Sequence, residues 1–277
     1  MKKIKSIGIA ALYFLLYYVS QFAVIMICAF VYGMSHIRDF YVDGVIDQNA
    51  WTTMLNDFLS GNLFLMTIVS DIVFIFAVFL ILKERKKKFF PELGIYKTNP
   101  LNIVPIAALG FSLNILIIVV MSLLPESWLE VYDENSSWLS GATGAVAFIS
   151  VVVIGPIVEE ILFRGLIFTR LSRGFGIYVS AVLSAVVFGF AHGDLVWGIY
   201  AGIFGLVLAA LFVYTRSLVC PILLHMSFNL AGYFINAINI FLIIIAFIVA
   251  CLSVVALIFI KKTGEAPRAA EQNDLNE

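Results

Sequence analysis

Eight mainly apolar stretches, each about as long as a membrane-crossing helix, limit what this chain can fold into. A helix needs about 20 apolar residues to cross the hydrocarbon core of a bilayer. Hydrophobic residues make up 62% of the 277-residue chain and charged residues 13%, whereas a soluble domain is about half apolar and a quarter charged. The sequence therefore predicts an all-α, polytopic protein of the cell membrane, with eight transmembrane helices at about 7–33, 62–82, 101–124, 143–168, 177–192, 196–214, 218–237 and 239–260.

The placement of lysine and arginine predicts how these helices are oriented. If the N-terminus is cytoplasmic, eight crossings put all but one of the 17 basic residues at or towards the cytoplasmic side, and Arg38 is the exception. Short loops rich in Lys and Arg stay in the cytoplasm, so both termini are predicted to be cytoplasmic. Residues 1–262 are interpreted as one membrane domain, and residues 263–277 as a polar, disordered cytoplasmic tail.

Charge and cysteine content say little about binding partners and argue against a disulfide framework. The basic cluster at 83–88 is interpreted as a topology anchor that meets anionic lipid head groups. A net charge of −1 identifies no partner by itself, and no nucleic acid is expected. The three cysteines lie in apolar runs, and their odd number and spacing fit neither a disulfide framework nor a zinc knuckle. The oligomeric state is left open.

The fourth apolar stretch contains two adjacent glutamates, Glu159 and Glu160, with Arg164 four residues further on. A charged side chain at the bilayer centre costs about 2.5–3.5 kcal/mol on insertion scales, so such residues usually have a function. Glu160 and Arg164 share a helix face, while Glu159 is turned about 100° away and remains available. Pro156 removes a helical hydrogen bond just upstream, which predicts a kink or a loosened turn. The alternative interpretation is a structural ion network.

Two further stretches carry inward polar residues. Phe188 and His192 share a face near the end of the fifth stretch, and His225 and Asn229 share one on the seventh. Such residues avoid facing lipid. A histidine near a helix end is often a capping residue, and a His/Asn pair is often an interhelical hydrogen-bond pair, so both structural interpretations stay open.

Taken together, these side chains suit hydrolysis. A glutamate can take a proton from water, and a histidine can position that water or bind a metal. A histidine or an asparagine can also stabilise an oxyanion. No serine-hydrolase elbow, His-Glu-x-x-His motif or phosphate-binding loop is present. Intramembrane carboxylates also mark transporters and proton relays. Asp71 in the second stretch mildly supports that alternative, although a helix–helix hydrogen bond explains it better.

Helix geometry leaves one question about depth. At a rise of 1.5 Å per residue, Glu159 lies about 13 Å from the inner end of its helix, and His225 about 10 Å. His192 comes out at about 22 Å if its helix begins at residue 177. The sequence does not show how His192 reaches the others.

The three polar sets, in this order, resemble the CPBP family of intramembrane proteases, which includes CAAX-type prenyl-protein endopeptidases and the bacteriocin-processing or self-immunity proteins also called Abi. Its motifs are Glu-Glu-x-x-x-Arg, Phe-x-x-x-His and His-x-x-x-Asn. They are met by Glu159, Glu160 and Arg164, by Phe188 and His192, and by His225 and Asn229. The match covers about 145–235, where the catalytic motifs lie. The resemblance implies an eight-helix fold with a catalytic cavity open to the cytosol, and an endopeptidase that cuts a membrane-associated protein or peptide near the cytosolic face.

The resemblance also implies a role for each position. Glu159 would be the general base, and His192 would help to activate the water. His225 and Asn229 would orient the water or stabilise the oxyanion. Glu160 and Arg164 would form a supporting pair.

Cofactor and biological role are left open by the resemblance. Family members are often described as metalloproteases, and a divalent metal such as zinc would be held by Glu159, His192 and His225. A metal-free glutamate mechanism is equally consistent with these residues. The rival function is a non-catalytic bacteriocin self-immunity or regulatory membrane protein.

Overall fold

A computed structural model of the chain describes the backbone of residues 2–42, 45–140, 144–235 and 239–274, and the side chains of residues 2–39, 46–134, 144–235 and 239–262. The helices are α1 (Lys2–His36), α2 (Gln48–Gly61), α3 (Leu63–Glu84), α4 (Phe89–Glu92), α5 (Ile103–Met121), α6 (Glu126–Ser140), α7 (Gly144–Phe175), α8 (Ile177–Phe190), α9 (Leu195–Thr215), α10 (Val219–Phe234) and α11 (Ile240–Asp274). A two-residue hairpin pairs β1 (Tyr41–Val42) with β2 (Val45–Ile46) between α1 and α2.

The architecture is that of a multi-pass membrane protein, as the composition predicts. Each of the eight predicted stretches forms a helix, and six of these helices in the described chain are long and apolar enough to cross a bilayer. The other two, α8 and α10, have only 14 and 16 residues. The all-α prediction is confirmed apart from the small hairpin, while eight crossings and the orientation of the termini stay predictions.

Large apolar side chains cover the outer surface of the helices. Phe22, Phe76, Phe190 and Phe241 are all more than half exposed. Such a surface suits hydrocarbon, where a helix satisfies its own backbone hydrogen bonds. Small polar residues lie inside instead, including Ser180 and Ser184, and the Ser184 hydroxyl donates to the carbonyl of Phe163. Small interior residues allow helices to approach closely where no hydrophobic effect drives them together.

The fold places α7 at the centre of the bundle. α1, α3, α8, α9 and α10 all pack against parts of α7, and α5 lies between α10 and α11. α8 and α9 form an antiparallel pair joined by a four-residue turn. Residues on α7, α8 and α10 are therefore brought to a common interior, as the three polar sets require.

Two predictions about chain organisation are not tested. The tail at 263–277 lies outside the residues whose side chains are described, although the backbone of α11 continues to Asp274. The boundary between the last two predicted stretches, at 236–238, also lies outside the described residues.

The α8–α9 contact depends on glycine. A Cβ atom on Gly189 would collide with the carbonyl oxygen of Gly198, whereas a Cβ on Gly8 of α1 would meet no atom within 4 Å. We expect Gly189→Ala to lower the melting temperature of the purified protein, because forcing extra atoms into a packed interface costs about 1–3 kcal/mol. Gly8→Ala is the matched control and should leave the melting temperature unchanged or slightly higher. Equal melting temperatures for the two variants would show that the helices separate at no cost.

Candidate active site

Helix α7 changes its winding around the two glutamates. An α-helical segment, Gly155–Glu160, lies between two π-helical segments, Ile149–Ile154 and Ile161–Phe168. In a π-helix the hydrogen bonds span five residues, so the turn is wider, and such turns are frequent at functional sites. The loosened turn predicted at Pro156 is confirmed: the first π-helical segment ends two residues before this proline. Glu159 and Glu160 therefore occupy a short, regular piece of helix between two wider ones.

Glu160 is fully buried and is held by two partners. Its Oε1 accepts a hydrogen bond of 2.6 Å from Nη1 of Arg164, and lies 3.1 Å from Nδ1 of His225. Arg164 is also fully buried, and its Nη2 donates to the carbonyl oxygen of Gly205 on α9. The guanidinium group lies 4.5 Å from the centre of the Phe188 ring, within the range of a cation–π contact. The predicted Glu160–Arg164 pair is confirmed, and it ties α7 to α8, α9 and α10.

The contact with Glu160 sets the orientation of His225. A carboxylate accepts hydrogen bonds only, so Nδ1 of His225 carries the hydrogen and donates a hydrogen bond to Oε1 of Glu160. In the neutral ring Nε2 is then an acceptor, and it lies 3.8 Å from Oε2 of Glu159. The two glutamates thus flank one imidazole on opposite edges.

The exposure of the two glutamates differs sharply. The Glu159 side chain is 28% exposed, whereas that of Glu160 is 0% exposed. Helix geometry predicts that the two side chains point in different directions, and the structure shows this: Glu160 faces protein, and Glu159 remains accessible.

His192 lies in the turn after α8, two residues beyond its last helical residue. Its Nδ1 is 2.8 Å from the carbonyl oxygen of Phe188, so the capping contact considered for this residue is present. Its ring centre is 4.7 Å from that of Phe188, and the Phe188 ring is 5.9 Å from His225. The depth question therefore has a geometric answer: both histidines reach the same phenylalanine ring.

Asn229 lies one turn beyond His225 on α10. Its Nδ2 donates a hydrogen bond of 2.9 Å to the carbonyl oxygen of Val151 in the first π-helical segment. α10 is consequently attached to α7 at two levels, through His225 and through Asn229.

The three possible metal ligands do not fit a metal ion in this arrangement. In the described part of the chain, no three His, Cys, Asp or Glu side chains come together as a metal-binding group. Hydrogen bonds of Nδ1 to Glu160 in His225 and to the Phe188 carbonyl in His192 leave only Nε2 of each ring as a possible ligand atom.

Residues of α1 and α3 lie near Glu159, although no sequence motif predicts this. Tyr17 and Tyr18 of α1 and Asp71 of α3 lie within electrostatic range of Glu159. Asp71 accepts a hydrogen bond of 3.0 Å from Gln21, which confirms the helix–helix hydrogen bond preferred for it over a proton relay. Only their polar character within apolar stretches distinguishes Gln21 and Asp71 in the sequence.

A surface cavity of about 440 Å³ lies away from Glu159 and Glu160. It is formed where α4, the end of α7 and the end of α9 meet, and is lined in part by Glu92, Arg173 and Arg216. Glu92 also pairs with Arg170, 3.5 Å away. This cavity belongs to the basic end of the bundle and contains none of the motif residues.

The buried ion pair gives a stability prediction. Arg164→Leu should destabilise the protein by about 3–5 kcal/mol, because it leaves Glu160 buried without its cation. The matched control is Arg173→Leu, since Arg173 also pairs with a glutamate, 3.3 Å away, but is 49% exposed. The control should cost about 0–1 kcal/mol. Melting temperatures and urea midpoints of the two purified variants test this, and similar losses would contradict it.

Comparison with known proteins adds independent information. Residues 141–231 match the family described as type II CAAX prenyl endopeptidase Rce1-like. The chain is 32% identical over 99 residues to YdiL of Bacillus subtilis (strain 168), which is named as a candidate membrane peptidase, with 35% of this chain and 41% of YdiL covered. It is 30% identical over 138 residues to the membrane-embedded CAAX protease MroQ of Staphylococcus aureus (strain USA300), with 46% of this chain and 56% of MroQ covered. The chain thus spans about half the length of these relatives. No solved structure matches it.

Proposed function

We propose that this chain, whose residues 141–231 match the Rce1-like family, is an intramembrane endopeptidase of the CPBP family that uses Glu159 as its base. The observation that carries the proposal is the arrangement of Glu159, His225 and Glu160. One glutamate is accessible, the other is buried, and the imidazole between them is held in a single orientation. The family match covers all six candidate site residues.

The chemistry follows from this arrangement. The 3.8 Å between Nε2 of His225 and Oε2 of Glu159 is too long for a direct hydrogen bond. A water molecule beside them can contact both groups. Glu159 takes a proton from this water while Nε2 of His225 accepts its second hydrogen bond. The oxygen attacks the peptide carbonyl carbon, and the tetrahedral intermediate then breaks its C–N bond as Glu159 returns the proton to the leaving amine.

The other motif residues support this step. Nε2 of His225 accepts in this tautomer, so it positions water and does not donate to an oxyanion. Nδ1 of His192 donates to the Phe188 carbonyl, so Nε2 of its neutral ring is also an acceptor and remains available to position the water. Glu160 and Arg164 hold His225 in place and touch no substrate.

The substrate class follows from the surroundings. Glu159 is reached from within a bundle whose outer surface is apolar, which favours a membrane-associated protein or peptide. One relative is named a CAAX protease, so a prenylated C-terminal peptide is the first sequence to test.

We also propose that the chain crosses the membrane eight times with both termini in the cytosol. α8 and α10 are short for a crossing, but each packs along longer helices of the bundle. The basic residues at the ends of α3 and α7, including Lys87, Arg170 and Arg173, converge on Glu92 at one end of the structure. That end is assigned to the cytosol.

Glu159→Ala should reduce cleavage at least about 100-fold, because it removes the general base. The assay uses the purified protein in liposomes with a panel of membrane-anchored fluorogenic peptides, one of them ending in a prenylated CAAX sequence. Glu84→Ala, an exposed glutamate at the end of α3, is the matched control and should keep full activity. Undiminished turnover in Glu159→Ala, with an unchanged melting temperature, would refute the assignment and favour a non-catalytic immunity or regulatory role.

The orientation is tested by labelling single cysteines. Cysteine is placed at Asp57 in α2 or at Lys97 before α5, in a chain whose three natural cysteines are replaced. A membrane-impermeant thiol reagent should label position 57 in intact cells, and position 97 only after permeabilisation. The reverse pattern would invert the proposed orientation, and labelling of both positions from outside would change the number of crossings.

A further inference from the structure

The backbone of α7 lacks one hydrogen-bond donor just before the glutamates. The N–H of Gly155 donates to the carbonyl of Ser150, five residues back. With the same spacing, residue 156 would donate to Val151. Residue 156 is proline, which has no N–H, so this helical bond cannot form.

A neighbouring helix supplies the missing donor. Nδ2 of Asn229 on α10 lies 2.9 Å from the carbonyl oxygen of Val151. Inside a membrane protein an unpaired backbone carbonyl is costly, because no bulk water replaces the lost partner. The residue before the proline also fits the wide turn, since a Cβ atom on Gly155 would lie only 3.0 Å from the Ser150 carbonyl oxygen.

We infer that Asn229 is a positioning residue whose side-chain amide replaces the N–H that Pro156 lacks. It thereby stabilises the π-helical turn that leads into Glu159. His225, one turn earlier on α10, contacts Glu160, so the two bonds of α10 fix α7 on both sides of the Gly155–Pro156 turn. The effect on catalysis rests on the proposed function, whereas the structural coupling of Asn229 to Pro156 does not.

This role makes a different prediction from direct action on the substrate. If Asn229 donates only to an oxyanion, removing it costs the same whatever residue occupies position 156. If it replaces the missing N–H, its removal costs less once that N–H is restored. Pro156→Ala restores it, and a double-mutant cycle measures the coupling.

The cycle compares the unaltered protein, Asn229→Ala, Pro156→Ala and the double variant, with turnover and melting temperature as readouts. Asn229→Ala should reduce turnover about 30-fold when residue 156 is proline and less than about 5-fold when it is alanine. Its effect on melting temperature should shrink in the same way. The melting series is repeated with Glu159→Gln present, so the coupling is measured without catalysis.

Two further variants keep the test decisive. Asn229→Asp keeps the shape but has no N–H to donate, so it should lower the melting temperature of the Pro156 protein at least as much as Asn229→Ala. Asn62→Ala removes the same type of bond, from Nδ2 to the Phe58 carbonyl, at the end of α2, and should show no coupling to position 156.

An equal loss of turnover on both backgrounds, together with unchanged melting temperatures, would overturn the inference and assign Asn229 to the substrate. An unaltered melting temperature in Asn229→Asp would overturn it even if Pro156→Ala fails to fold. Failure of the proposed function would appear separately, as full activity in Glu159→Ala.

Discussion

The buried carboxylate of Glu160 is the group on which the rest of the site depends. A carboxylate without water needs a nearby cation and hydrogen-bond donors. Oε1 of Glu160 receives both from Arg164 and His225, whereas no described residue donates to Oε2. Arg164 in turn reaches the backbone of α9 and the aromatic ring of Phe188. Four helices thus meet around one negative charge, and the orientation of the imidazole that faces Glu159 is a consequence of that meeting.

Two neighbouring residues of one chemical type acquire opposite properties because of helix winding. Both glutamates lie in the short regular segment of α7, where consecutive side chains point about 100° apart. One therefore turns into the bundle and the other towards accessible space. The wider turns on either side leave this phase undisturbed between Gly155 and Glu160, while they change the register of the helix before and after it.

Much of this arrangement can be predicted from the sequence, for identifiable reasons. The helices follow apolar stretches, and the Glu160–Arg164 pair follows from a four-residue spacing within one helix. The contact of His225 with Glu160 joins residues 65 positions apart, and no local pattern encodes it. The spacing of apolar residues does not predict the π-helical winding of α7, although Pro156 indicates where the helix loosens. The position of His192 does not follow from rise per residue, which gives only the distance along its own helix; the structure places this residue after the end of α8, against the Phe188 ring that also contacts His225. The sequence predicts a helix–helix hydrogen bond for Asp71, but only the fold identifies its partner, Gln21.

The Phe188 ring has a consequence beyond packing. It contacts the guanidinium of Arg164 and both imidazoles, yet it has no atom that can accept or release a proton. Each histidine instead has its own acceptor for Nδ1, a backbone carbonyl in one case and a carboxylate in the other. The Phe188 ring therefore separates the two histidines chemically: no proton passes between them through it, and each imidazole keeps its Nδ1 hydrogen on its own acceptor.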